Sequence, residues 1–234
     1  MNITNSITIL FIASFLPPII YAIWIRNTER HNRERWFTIT FCFIWGATLA
    51  VLFSIMLEVV LDLSLSVSFT ESDTLSLLTV IIVAPFVEEM VKPMALRTRT
   101  VRKALDELED GLIYGAVAGL GFSATENLFY GWSFLSEGII VFIILMGIRS
   151  IGGCLLHASA TALTGYGYGK SILLKTSRLY IIPYFLLAFL VHSLYNFLVS
   201  WEELGVMIGL AAALMTVYLV TKIVRYKIRT LDSI

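Results

Sequence analysis

Six polar residues, Glu88, Glu89, Glu126, His157, His192 and Asn196, lie inside stretches that otherwise read as membrane-spanning helices. An ionisable side chain at the centre of a spanning helix costs about 3 kcal/mol on insertion scales, so such groups face a paired or wet interior. Carboxylates and imidazoles are also the groups that hold a catalytic metal or exchange a proton with water. The set therefore points to chemistry carried out inside a membrane.

The local spacing sharpens each role. The stretch TVIIVAPFVEEMVKPMAL contains Glu88 and Glu89 as neighbours, which point about 100° apart on a helix. One of them faces the reacting site and the other a supporting layer. Lys92 is four residues from Glu88 and three from Glu89, within pairing reach of either. Pro85 and Pro93 bracket the pair; each removes a donor and frees a carbonyl. The competing reading is a Glu–Lys pair that only locks helix packing. In DGLIYGAVAGLGFSATENLFYG, Gly111, Gly115 and Gly119 share a face with Glu126, and small residues let a neighbouring backbone come close. Glu126 also reads as a structural partner for Arg149. His157 shares a face with Gly153, Thr161 and Thr164, small residues that leave room around it; the bland alternative is a satisfied core histidine. His192 and Asn196 stack one turn apart, so the amide can orient the imidazole or donate to an oxyanion. Cys42 and Cys154 fall in apolar stretches and read as small core residues.

The elements that must position these groups are helices. The 234 residues are 58% hydrophobic and 15% charged, with a mean hydropathy of +0.83; soluble domains carry about 25% charged residues. The expected fold is all-α: a single domain over 1–234, a polytopic helical bundle of about seven membrane helices. The expected spans are 3–25, 37–61, 75–96, 110–134, 139–168, 180–200 and 204–222, with a candidate catalytic core over 75–200. The first is too long for a signal-peptide core and reads as a retained span. All but Lys92 and Arg149 of the 17 basic residues fall in alternate loops or after the last span, while Asp62, Glu71, Asp73, Glu137, Glu202 and Glu203 occupy the opposite loops. By the positive-inside rule the N-terminus is outside and the C-terminus cytoplasmic. Val101–Asp110 reads as a short solvated helix and His31 as solvated surface. The net charge of +0 gives no field to attract nucleic acid. One discrepancy stands at this level: counted along straight helices, Glu88 lies roughly 20 Å and His157 roughly 27 Å from the outer face, but Glu126 and His192 about 12 Å.

Four pieces occur in order on successive spans: Glu88-Glu89-x-x-Lys92, Phe122-x-x-x-Glu126-Asn127, His157-x-x-x-Thr161 and His192-x-x-x-Asn196. This ordered set resembles the PrsW family of intramembrane proteases, within the superfamily that includes CAAX prenyl endopeptidases. The resemblance covers about 85–196. It implies a helical bundle in the cell membrane that hydrolyses peptide bonds of membrane-anchored proteins, such as an anti-sigma-factor-like regulator. In the CAAX branch the second piece ends in His; Glu126 stands there here, which argues against prenylated substrates.

The chemistry expected is peptide hydrolysis with Glu88 or Glu89 as general base on a water. A Zn²⁺ held among Glu89, Glu126, His157 and His192 would acidify that water and polarise the scissile carbonyl; without metal, an imidazole or Asn196 would stabilise the oxyanion. Proton- or ion-coupled transport is the alternative, since buried acids and broken helices occur there too, although the two halves of the chain show no repeat. A seven-span receptor is a third reading. The substrate and the oligomeric state are not written in the sequence.

Overall fold

The computed structural model describes residues 3–66, 72–201 and 205–233, with backbone alone for 3–5, 65, 66 and 72–74. Glu71, Glu202, Glu203 and the Asp73 side chain, used above for orientation, lie outside the described residues. The chain is 90% helical, without strands among the described residues. Helices α1 (Ile3–Arg26), α2 (Trp36–Trp45), α3 (Val51–Ser66), α4 (Ser72–Leu78), α5 (Ala84–Val91) and α6 (Arg99–Ala104) precede the long α7 (Leu108–Phe134). Then follow α8 (Ile139–Ile148), α9 (Cys154–Leu173), α10 (Ile182–Ser200) and α11 (Val206–Leu231).

Among the described residues, five helices are long and apolar enough to cross a membrane: Ser6–Arg26, Trp36–Ser64, Ile139–Leu173, Arg178–Ser200 and Val206–Leu231. They expose Ile, Leu, Val and Phe outward, as a lipid-facing surface requires. The expected spans 75–96 and 110–134 are not among them, for two physical reasons. The first is interrupted by a π turn at Thr79–Val83 and by a 3-10 segment at Lys92–Arg97, which Pro93 begins. The second, α7, is a central helix enclosed by protein: every residue from Glu109 to Ala124 is buried. Enclosure relaxes the need for lipid-compatible side chains, so α7 carries glycine, serine and acid where a lipid-facing helix carries leucine. The expected solvated helix Val101–Asp110 is also corrected. α6 ends at Ala104, and α7 restarts at Leu108 with a reciprocal capping box between Glu107 and Asp110.

Glycine fixes how close α7 comes to its neighbours. A methyl group on Gly115 would sit 2.5 Å from the Thr161 carbonyl oxygen and one on Gly111 2.6 Å from that of Gly165, and one on Gly119 would collide with the His157 carbonyl. Gly121 meets Phe43 of α2 in the same way. α7 is thus pressed between α9 and α2, and the glycine stripe ends beside His157.

Candidate functional site

Lys92 is the centre of the polar cluster. Its ammonium lies 2.7 Å from Glu88 Oε2, 2.9 Å from Glu89 Oε1 and 2.7 Å from His157 Nδ1, and the side chain is fully enclosed. An ammonium has three protons, and these three acceptors use them all. Phe122 covers it, with Nζ 4.4 Å from the ring centre, a favourable cation–π placement. Pro93 and the 3-10 turn set the end of α5 so that Lys92 folds back over the Glu pair.

The neighbouring acids differ as the 100° offset requires. Glu89 is fully buried and held from three sides: by Lys92, by the Thr161 hydroxyl at 2.9 Å and by His192 Nδ1 at 3.0 Å. Glu88 is marginally more open and takes one hydrogen bond, from Lys92. Its Oε2 stands 3.7 Å from His157 Nδ1 and 3.9 Å from His192 Nε2. On the far side of His157, Nε2 is 2.7 Å from Glu126 Oε2, and Arg149 NH2 pairs with that same oxygen at 2.9 Å.

Both imidazoles are therefore set by the same rule. A carboxylate beside one ring nitrogen puts the proton there: Glu126 on Nε2 of His157, Glu89 on Nδ1 of His192. The other nitrogen of each ring then carries its lone pair, and both lone-pair nitrogens face Glu88 Oε2. The rings meet edge to face at 5.0 Å. This is the carboxylate–histidine arrangement that orients imidazoles toward a metal. Glu88, His157 and His192 each offer a donor atom, and these atoms lie within 4.8 Å of one another. Two imidazoles and one carboxylate suit a catalytic divalent ion such as Zn²⁺, with one position left for water. The donor set fits, on one condition: the Lys92 ammonium holds two of the same atoms, so a cation there requires Lys92 to turn away or shed its proton.

Every expected site residue except Asn196 is in this cluster. Glu88, Glu89, His157 and His192 meet directly, and Glu126 joins through His157. The depth discrepancy disappears because α8 and α9 form one 35-residue helix that is roughly 50 Å long at 1.5 Å per residue. That exceeds a hydrocarbon core of about 30 Å, so counting residues from its outer end overstates depth. Glu89 and Glu126, expected among metal donors, lie beside the outer nitrogens of the imidazoles, and the atoms grouped closely enough to share an ion are those of Glu88, His157 and His192. Asn196 does something else. Its Nδ2 donates to the Val80 carbonyl at 2.8 Å. In the π turn the Ala84 amide bonds Thr79 instead of Val80, and Pro85 has no amide proton to offer. Val80 thus loses its helical donor, and Asn196 replaces it.

Sequence reasoning missed two contributors. Lys92 was read as a partner of the acids but not of His157, a contact 65 positions away that only packing creates. Asn127, next to Glu126, is buried and accepts from Arg149 Nε at 2.8 Å, steadying the cation that holds Glu126. Arg149 also lies over the Tyr130 ring at 3.9 Å.

Comparison with known proteins agrees with the ordered pieces. A match to the family described as PrsW family intramembrane metalloprotease extends over residues 34–224. A protein called Protease PrsW from Clostridioides difficile (strain 630) is 30% identical over 125 residues, covering 53% of this chain and 51% of the relative. Protease PrsW from Geobacillus kaustophilus (strain HTA426) is 33% identical over 99 residues, 42% of this chain and 41% of the relative. The chain thus spans about half, or less, of the length of the curated relatives it matches. No solved structure matches it.

Proposed function

We propose, for a chain that belongs to the PrsW family of intramembrane metalloproteases, that it is itself an endopeptidase acting on proteins anchored in the membrane. One observation carries the reading: two imidazoles, each clamped at one nitrogen by its own carboxylate, present their other nitrogens to Glu88.

Glu88 takes the proton from the attacking water and returns it to the leaving amine. It has the open face and a single hydrogen bond, whereas Glu89 is committed to Lys92, Thr161 and His192. Glu89 and Glu126 keep the imidazoles turned inward. A divalent cation held by His157 and His192 beside Glu88, zinc being the expected one, would acidify the water and polarise the scissile carbonyl, with Glu88 left free as the base. Lys92 turned away with its proton kept would be a positive charge for the oxyanion that develops.

A cavity of about 630 Å³ leads to Glu89 between α5, α9 and α10. Phe86, Met90 and Phe185 line it, and Arg97, Arg102, Lys175 and Arg178 stand around it. The apolar part suits an unwound membrane segment and the cations suit acidic residues just beyond it. The family resemblance implies a regulator of the anti-sigma-factor kind as the substrate, in the cell membrane. A seven-span arrangement with the basic loops cytoplasmic accommodates such a substrate. The transporter alternative is not favoured by the family. Purified protein incubated in detergent with membrane proteins should generate new N termini in or next to membrane segments, read by mass spectrometry, and Glu88→Gln should generate none. Equal cleavage by Glu88→Gln, or no cleavage by the unaltered chain, would sink the reading. Elemental mass spectrometry checks the metal: near-stoichiometric content, lost in His157→Ala and His192→Ala, is expected.

A further inference from the structure

A second group of carboxylates sits at the end of the bundle that carries the basic loops. It joins three distant stretches: the loop between α1 and α2, the turn into α7, and the residue after α11. Glu29, Glu109 and Asp232 each offer an oxygen within 4.8 Å of the others; so do Glu29, Glu107 and Asp110, and Glu34, Asp106 and Asp110. Glu29 is 0% exposed and Asp110 1%.

Backbone amides reach only one oxygen of each. Glu29 Oε2 accepts from the Glu34 amide at 3.0 Å, and Asp110 Oδ2 from the amides of Asp106 and Glu107 at 2.7 and 2.8 Å. Glu29 Oε1 is buried with no hydrogen-bond partner, whereas the Asp110 side chain also shares a hydrogen bond with that of Glu34. The nearby arginines do not neutralise them: Arg26 Nε donates to the Glu34 carbonyl, Arg33 Nε to the Glu29 carbonyl, and Arg225 Nε to the Thr28 hydroxyl. Among the described residues, the one ion pair to any of these seven carboxylates is His31 with Asp232. Burial pushes Glu29 up to about 8, the Glu34 amide opposes this, and the neighbouring carboxylates add to it. Glu29 Oε1 is thus a buried oxygen without a donor, within reach of the Glu109 and Asp232 carboxylates.

We propose that this end of the bundle binds a hard divalent cation, held by oxygens of Glu29, Glu109 and Asp232. The donors are all oxygen, the chemistry of calcium, magnesium and manganese sites rather than zinc sites. The ion ties the end of α11 and the α1–α2 loop to the start of α7, the helix that carries Glu126 at its other end. A proton shared between Glu34 and Asp110 is the competing way to relieve the same charge, and it predicts no response to calcium.

The test uses the full chain, purified in detergent and stripped with chelator. Calcium at about 100 times its dissociation constant should raise the melting temperature by about 5–10 °C. Terbium in place of calcium should luminesce on excitation of Tyr114, whose hydroxyl donates to Glu34. Glu29→Gln and Asp232→Asn should each remove both responses, while His192→Ala, which disables the other candidate metal site, should keep them. If Glu29→Gln does not fold, Asp232→Asn and the terbium signal of the unaltered chain decide. No melting shift with calcium, manganese or magnesium overturns the proposal, as does a shift that survives Glu29→Gln or Asp232→Asn or disappears in His192→Ala.

Discussion

The acids around Lys92 and those around Glu29 are both buried, yet they are neutralised by opposite means. In the first cluster the chain supplies the counter-charge: Lys92 for Glu88 and Glu89, Arg149 for Glu126, and an imidazole beside each of Glu89 and Glu126. In the second, an amide satisfies one oxygen of the fully buried Glu29 and the other is left open. Internal pairing gives fixed geometry, which a reaction needs. An open cluster gives affinity for something from outside. Where a chain places its cations thus separates a site that reacts from a site that binds.

The largest effect should come from taking the cation out of the first cluster. Lys92→Met leaves Glu88 and Glu89 as adjacent buried anions, and breaking a buried pair from one side costs about 3–5 kcal/mol. Thermal unfolding in detergent should show it, together with loss of cleavage. Adding Glu89→Gln removes one of the stranded charges and should restore part of the stability. If Lys92→Met melts like the unaltered chain, the ammonium is not the counter-charge described here.

Glu88→Gln should separate chemistry from stability. The amide keeps the volume and accepts from Lys92, but cannot take a proton. Cleavage should fall by about 10³-fold, within the range for losing a general base, while the melting temperature changes little. An equal fall in both would make Glu88 a structural acid like Glu89.

The two clusters were unequally legible in the sequence. The first announces itself because each member breaks an apolar run, and Lys92 lies within helical reach of both acids. What sequence reading lacked was the continuity of α8 and α9 as one long helix and the π turn that diverts Asn196. The count of spans differs for a related reason: α7 has the length of a span but is enclosed by protein, so hydropathy alone does not classify it. The second cluster was hidden by its setting. Glu29 and Glu34 are interleaved with Arg26, Arg30, Arg33 and Arg35, and reading that loop for its positive charge masked the acids between. Asp106, Glu107, Glu109 and Asp110 passed as a solvated helix, and Asp232 meets them only through folding.

Glycine substitutions ask whether close approach of α7 to α9 serves the first cluster. Gly119→Ala would place a methyl against the His157 carbonyl, whereas a methyl group added at Gly147, on α8, would meet nothing within 4 Å. Overpacking of this kind costs about 1–3 kcal/mol, and pushing α9 away also draws His157 from Glu126. Gly119→Ala should therefore lower both melting temperature and cleavage. Gly147→Ala should be neutral, or stabilising by up to about 1 kcal/mol.

The smallest effect should come from the rim of the second cluster, and its dependence on conditions matters more than its size. In chelator, Asp232→Asn removes one carboxylate charge from a group with too many, yet weakens its bonds from the Arg30 and His31 amides. The two changes oppose, so the melting temperature should move by no more than the equivalent of about 1 kcal/mol, the worth of one such hydrogen bond. With calcium present the same substitution removes a ligand, and the unaltered chain should gain while the variant does not. At the Lys92 cluster a removed charge is missed under every condition, because the chain itself supplied the partner. At the Glu29 cluster the removed charge is missed only when the outside partner is there, and a melting curve of Asp232→Asn with and without calcium reads that difference directly.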